Sequence, residues 1–349
     1  MIITPIPTPS HEEVVRVSDP ASGLVGFIAI HSTQLGPAAG GLRMRRYASE
    51  EAALTDALRL SHGMTFKNAA AGLPLGGGKA VILGNPEADK SEALLTAFGA
   101  AIAALKGRYW TAEDMGMSPW DMAVIARSTE FVAGLPDGEF ASGDPSPITA
   151  RGIFNAIRCT ARHRFGSNDL TGRRVAVQGL GHVGWCLAEM LHEAGAALIV
   201  ADIDATRCER AAQAFGSAIA TVDRILGVEA DILAPCAIGG ILNADTIPSL
   251  RVAAVAGGAN NQLATPADGD ALHKRGILYA PDYVANAGGI VNVATEILQI
   301  HDRDRFVTDK LAEAEATLDA ILIRATARGV SPHRLADEIV LTRMQRTAA

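Results

Sequence analysis

The chain has 349 residues, 35 glycines against 16 prolines, and a formal net charge of -7 with a pI near 5.7. That length exceeds one ordinary core and predicts two domains, and the acidic balance excludes nucleic acid and anionic membrane surfaces as expected partners. Four scattered cysteines (Cys159, Cys186, Cys208, Cys236) show no disulfide or zinc spacing, so no metal site is expected. The N-terminus lacks a basic segment and no apolar run is long enough to span a bilayer, which together predict a soluble, cytoplasmic protein.

Val14–Val17 and Leu24–Ile30, separated by the turn-forming run 18–23, predict a hairpin or meander. A glycine-dense segment, Gly36-Pro37-Ala38-Ala39-Gly40-Gly41, follows; its glycines allow either a simple turn or close approach of a ligand. Ser49 is the predicted N-cap of a helix through Ala52–Met64, which puts Lys67 at or just beyond its end. Gly76-Gly77-Gly78-Lys79 leads into a strand-like Ala80–Leu83. Two lysines among small and apolar residues suggest desolvation and mutual repulsion, both of which lower a lysine pKa towards general-base range. Ser91–Leu105 reads as an amphipathic helix. Tyr109–Thr111 reads as a strand, with Asp114 placed at its end as a partner for a lysine.

Turn formers cluster over 134–149, the predicted boundary between domains 1–145 and 146–327. The second domain opens with the strand Arg174–Gln178 and the turn Gly179-Leu180-Gly181-His182-Val183-Gly184. A helix over Val183–Ala194 and a strand over Ala197–Ala201 follow, ending at Asp202. A G-x-G-x-x-G turn between strand and helix, with an acid about 20 residues on, is the dinucleotide fingerprint, and the carboxylate favours NAD over NADP. Further strands at Ile232–Ala234, Val252–Ala256 and Ile277–Tyr279 end in loops containing Ala237, Asn260 and Asn286. Helices are predicted from Ile290–Ile300, over Arg305–Ala327 and over Pro332–Arg346. The fold class is therefore α/β, with a Rossmann-type doubly wound sheet in the second domain.

Taken together, these motifs resemble the glutamate/leucine/phenylalanine/valine amino acid dehydrogenase superfamily, nearest the leucine/valine/phenylalanine branch, from about Gly36 to Glu296. The resemblance implies an N-terminal substrate domain, an active site in the cleft between the domains, C-terminal helices about 328–349 packing back on the first domain, and a homo-oligomer. It assigns Lys67 of M-T-x-K to the substrate carboxylate, Lys79 of G-G-G-K as catalytic base, and Asp114 of T-A-E-D to proton transfer. It places Gly40, Gly41 and Asn286 beside the substrate. Thr149, the turn Gly179, Leu180, Gly181, His182, Val183, Gly184, Asp202, Ala237 and Asn260 are assigned to the cofactor, NAD. The substrate partners implied are an L-amino acid, its 2-oxo acid and ammonia.

Ala39 stands where glutamate enzymes carry a lysine, so glutamate is not the expected substrate. Ala39, Ala112, Ile290 and Val293 would surround an apolar side chain; Ala39 leaves room for phenylalanine, while Ala112 and Ile290 follow the branched-chain pattern. Leucine or valine is favoured. A silent NAD-binding regulatory protein is the alternative from another class, and a hydroxy-acid dehydrogenase would need a His–acid motif that the nine histidines do not supply.

Overall fold

The computed structural model describes residues 1–347. The described residues form two compact units: Met1–Pro145 with Ile290–Phe306 and 342–347, and Ser146–Gly289 with Val307–Leu341. By contacts, therefore, 290–306 group with the first unit and 307–341 with the second, whereas the sequence division ran through 145/146 and 327/328.

In the first unit the strands are β1 (Ile2–Pro5), β2 (Glu13–Asp19), β3 (Leu24–Ser32), β4 (Ala38–Ala39), β5 (Leu42–Arg45), β6 (Gly76–Leu83) and β7 (Tyr109–Trp110). They are interleaved with helices α1 (Glu50–Ala70), α2 (Glu92–Ala104) and α3 (Pro119–Ala126). The sheet runs β1-β2-β3-β6-β4-β7, with β5 also paired to β6. β2 and β3 make the expected antiparallel hairpin, and β3 meets β6 antiparallel. Strand alternation sorts the core into two layers. Ile28, Ile30 and Ile82 pack against Leu94, Phe98 and Ile102 of α2, with Met122 and Ile125 of α3. Phe27, Ala29 and Val81 point the other way, onto Ala53 and Ala57 of α1. The α1 helix starts as expected, with Ser49 Oγ accepting from Ala52 N–H, but runs six residues beyond Met64. No breaker intervenes before Gly72 and Pro74, so Lys67 lies within its last turn.

The second unit begins with α4 (Ser146–Phe165), then β8 (Arg174–Gln178), α5 (His182–Glu193), β9 (Ala197–Ala201), α6 (Ala205–Phe215) and β10 (Ala218–Ile219). It continues through β11 (Ile232–Pro235), β12 (Ala254–Val255), α7 (Pro266–Lys274), β13 (Leu278–Tyr279) and α8 (Asp282–Ala285). The chain then forms α9 (Gly288–Ile297), α10 (Arg303–Arg328) and α11 (Pro332–Thr347). All strands of the second sheet are parallel, in the order β10-β9-β8-β11-β12-β13. Counted within the unit this is 3-2-1-4-5-6, the doubly wound order, with the reversal between β8 and β11. No helix among the described residues is long and apolar enough to cross a membrane.

Candidate active site

Lys79 sits in the middle of β6, the strand with the most partners in its sheet, and is 5% exposed. Its Nζ donates to Asp114 Oδ2 at 2.7 Å, and Arg43 Nε donates to the same oxygen at 2.9 Å. Arg43 also donates to Asp56 Oδ2 at 3.1 Å, which accepts in addition from Tyr47 Oη at 2.7 Å. Backbone pairing delivers these groups. β5 runs parallel to β6, with Arg43 opposite Val81. Leu42 N–H and Met44 N–H donate to Ala112 and Met115, so the 112–115 segment lies along β5 and carries Asp114 to Lys79.

Burial lowers the Lys79 pKa; the Asp114 carboxylate opposes this and the Arg43 cation reinforces it, leaving the lysine below its ordinary value. Arg43, not singled out from the sequence, is a cation that presses on Lys79. Burial would raise Asp114, but Lys79 and Arg43 outweigh it and hold the carboxyl well below the usual carboxylate range. Glu113, next in the chain, is pushed up to about 7 by burial and then by the carboxylates of Asp144, Asp114 and Asp121.

The glycines are packed against neighbouring elements. A Cβ on Gly77 would fall 2.0 Å from Thr65 Oγ1, one on Gly78 2.6 Å from the Tyr109 ring, and one on Gly76 2.0 Å from the Ser32 carbonyl. They are strand residues that let α1 and neighbouring backbone close onto β6. Gly40 and Gly41 are equally enclosed, the first by the Gly78 carbonyl at 1.8 Å and the second by Glu113 and Asp114 at 2.7 and 2.9 Å. Ala39, Ala112, Ile290 and Val293, all counted in the first unit, are buried. Lys67 is half-buried.

In the second unit the glycine turn follows β8 at the point where strand order reverses. Gly179 has φ +95, which disfavours any side chain, and a Cβ on Gly184 would fall 2.0 Å from the Gly179 carbonyl. Gly181 faces open space and, as the N-cap of α5, offers no side-chain cap of its own. Asp202 Oδ2 accepts from Leu180 N–H at 2.6 Å and Oδ1 from Asp204 N–H at 2.9 Å. The acid therefore braces the turn, and still has lone pairs for ribose hydroxyls. A helix start with glycine at its N-cap, the open space beside that glycine and this carboxylate fit a dinucleotide pyrophosphate and ribose. Leu180 is buried, Val183 half-buried, and His182 and Ala237 are exposed, with Ala237 packed on Gly179. Thr149 lies half-buried in the first turn of α4, against Gly288. Asn286 is buried; its Nδ2 donates to Gly258 O and to Asn260 Oδ1 at 3.1 and 2.9 Å, while its Oδ1 has no partner. Asn260 is exposed.

Arg43, Tyr47, Asp56, Glu113 and Glu296 were not singled out from the sequence. Arg43 could have been found as a lone charge in the strand-like Leu42-Arg43-Met44. Asp56 sits among ordinary helix-surface residues and gives no signal.

A family model described as "Glu/Leu/Phe/Val dehydrogenase, dimerisation domain" matches residues 11–131, and one described as "Glutamate/Leucine/Phenylalanine/Valine dehydrogenase" matches 142–208 and 202–345. A leucine dehydrogenase from Geobacillus stearothermophilus is 47% identical over 338 residues, covering 97% of this chain and 92% of that one. A valine dehydrogenase from Streptomyces virginiae is 47% identical, covering 96% and 94%. The crystal structure of L-tryptophan dehydrogenase from Nostoc punctiforme superposes with a TM-score of 0.82 at 40% identity, covering 97% of each chain. The chain belongs to the Glu/Leu/Phe/Val dehydrogenase family and is an oxidoreductase, an NAD(P)-dependent amino acid dehydrogenase.

Proposed function

We propose that the chain oxidatively deaminates an apolar L-amino acid, leucine or valine before phenylalanine, to its 2-oxo acid and ammonia with NAD, as a cytoplasmic homo-oligomer. The observation that carries this reading is the buried Lys79 sharing Asp114 with Arg43: burial and the Arg43 cation lower its pKa, which raises the share of neutral amine available for proton abstraction at alkaline pH. The apolar preference rests on Ala39, where a glutamate enzyme would need a cation, and on the buried Ala112, Ile290 and Val293. The names of the leucine and valine enzymes at 47% identity support the branched-chain choice. The homo-oligomer is supported by the dimerisation-domain match.

Lys67 holds the substrate carboxylate. Asp114, kept ionised by its two cations, receives the amino group and orients Lys79. Asn286, whose free Oδ1 can accept a hydrogen bond, holds a donor group of the bound ligands. The turn 179–184, Asp202, Thr149, Ala237 and Asn260 hold NAD, which when bound supplies the hydride acceptor. Loss of the Cα hydride from the neutral amine leaves an iminium ion. Neutral Lys79 takes a proton from the water whose oxygen bonds to the iminium carbon, giving a carbinolamine; that proton is returned to the nitrogen, and as ammonia leaves, the hydroxyl gives up its proton to Lys79 and the carbonyl forms.

The test is NAD reduction with leucine, valine, phenylalanine and glutamate at alkaline pH, for the parent and Lys79→Ala. The variant should lose about 10²- to 10⁴-fold in kcat while still binding NADH. Unchanged oxidation by a variant that binds NADH removes Lys79 as the base. NADH binding without turnover of any amino acid by the parent favours a regulatory role.

A further inference from the structure

Helix α9 presents two buried faces. Ile290 and Val293 lie along one. Asn292 and Glu296 lie along another, roughly a third of a turn away. Burying a carboxyl group is costly unless donors meet it, and here several do. Glu296 Oε2 accepts from Gly134 N–H at 2.7 Å, from Ser142 N–H at 3.0 Å and from Ser142 Oγ–H at 2.8 Å. Leu135 N–H adds a longer contact at 3.4 Å. Asn292 Nδ2 and Arg303 Nη2 both donate to the Ser142 carbonyl, and Arg303 Nη1 donates to Ala141 O. One short loop, 134–142, is thus bound to α9 from both its N–H and its C=O sides.

The loop reaches the other wall of the assigned pocket. Gly134, at φ +78, lies against Ala112: a Cβ built on it would sit 4.0 Å from the Ala112 Cβ and 3.7 Å from Glu113 N. Ala133 N–H donates to Thr111 O at 2.8 Å, one residue before Ala112. The chain of contact runs from Glu296 through Gly134 to the backbone that carries Ala112.

We infer that Glu296 is a positioning residue for substrate choice: through Gly134 and Ser142 it fixes the Ile290 and Val293 wall at a set distance from the Ala112 wall. This rests on the proposal that these residues surround the substrate side chain. A glutamine in its place keeps the shape but sets an NH₂ against Leu135 N–H and removes the charge that strengthens the bonds from Gly134 and Ser142, so α9 gains freedom to roll. A looser wall discriminates less between side chains that differ by one or two carbons.

The experiment compares kcat and KM for leucine, valine and phenylalanine, with NADH affinity, in the parent, Glu296→Gln, Ser142→Ala, their double variant and Ile290→Ala. In Glu296→Gln the ratio of kcat/KM between the best and next-best amino acid falls about tenfold, carried by KM, with NADH affinity unchanged. Ser142→Ala shifts the ratio in the same direction by less, and adds little to Glu296→Gln because they share one network. A uniform fall for all substrates, or unchanged ratios, overturns the inference. If Glu296→Gln does not fold, an unchanged ratio in Ser142→Ala does so. Unchanged ratios in Ile290→Ala as well remove the pocket assignment itself, whereas altered ratios there alone remove only the role of Glu296.

Discussion

Asp114 is shared by two buried cations, so replacing it by asparagine leaves Lys79 and Arg43 facing each other with no anion between them. Each attraction to Asp114 is about 4 kcal/mol for charge centres ~4 Å apart at an effective dielectric of ~20. Breaking a buried pair from one side costs about 3–5 kcal/mol, less here because Arg43 keeps Asp56 and Asp114 has 21% of its side chain open to water. We expect Asp114→Asn to lower the stability of the first unit by about 3 kcal/mol at pH 7, and Lys79→Met, which leaves Arg43 and Asp114 paired, by about 1 kcal/mol. The double variant should be more stable than Asp114→Asn alone.

The pH dependence gives a second check on the same pair. Without Asp114 the folded-state pKa of Lys79 falls further below the unfolded value of about 10.4. A lysine depressed in the folded state sheds its proton there first, so stability rises with pH between the folded and unfolded values. The deficit of Asp114→Asn should therefore shrink as pH rises towards 10. Urea unfolding followed by fluorescence of Trp110 and Trp120, both in the first unit, measures it. A variant as stable as the parent at pH 7, or a deficit that grows towards pH 10, would refute this electrostatic account.

Three further expectations concern other parts of the molecule. Gly77→Ala drives a methyl into Thr65 and should destabilise by about 3 kcal/mol or more, read by thermal unfolding. Glu113, whose pKa is pushed up to about 7, favours the folded state while neutral and loses that contribution as pH rises through 7; Glu113→Gln should therefore raise Tm at pH 8.5 and not at pH 5, by less than about 1 kcal/mol since the group is half-exposed. Asp202→Ser removes the repulsion of a 2′-phosphate and also the acceptor of Leu180 N–H, so NADPH binding should gain relative to NADH while NADH affinity falls about tenfold, measured by fluorescence titration.

Local chemistry made much of this molecule readable. The β8 strand agrees residue for residue with its expectation because an apolar run bounded by charge and glycine has few alternatives, and Ser49 caps α1 because its hydroxyl has a free N–H to meet. Chain crossings were harder. Nothing in the composition of 290–306 ties it to the first unit; that depends on Glu296 and Arg303 meeting backbone about 160 positions earlier. The same holds for Arg43, whose importance comes from strand register. The strand expected from Ala80 begins instead at Gly76, because the crowding that excludes a side chain from the three glycines comes from Ser32, Thr65 and Tyr109, on three other elements.

The strand that holds Lys79 is hydrogen-bonded to β3, β4 and β5, so its amides can exchange with solvent only when much of the sheet comes apart. The amine is then a fixed point, an anvil towards which ligands and loops must move. Natural or engineered changes of substrate will accumulate in the surrounding walls and leave this strand untouched. Heat inactivation should coincide with collapse of the whole first unit, with no earlier stage in which the fold survives and the base has drifted away.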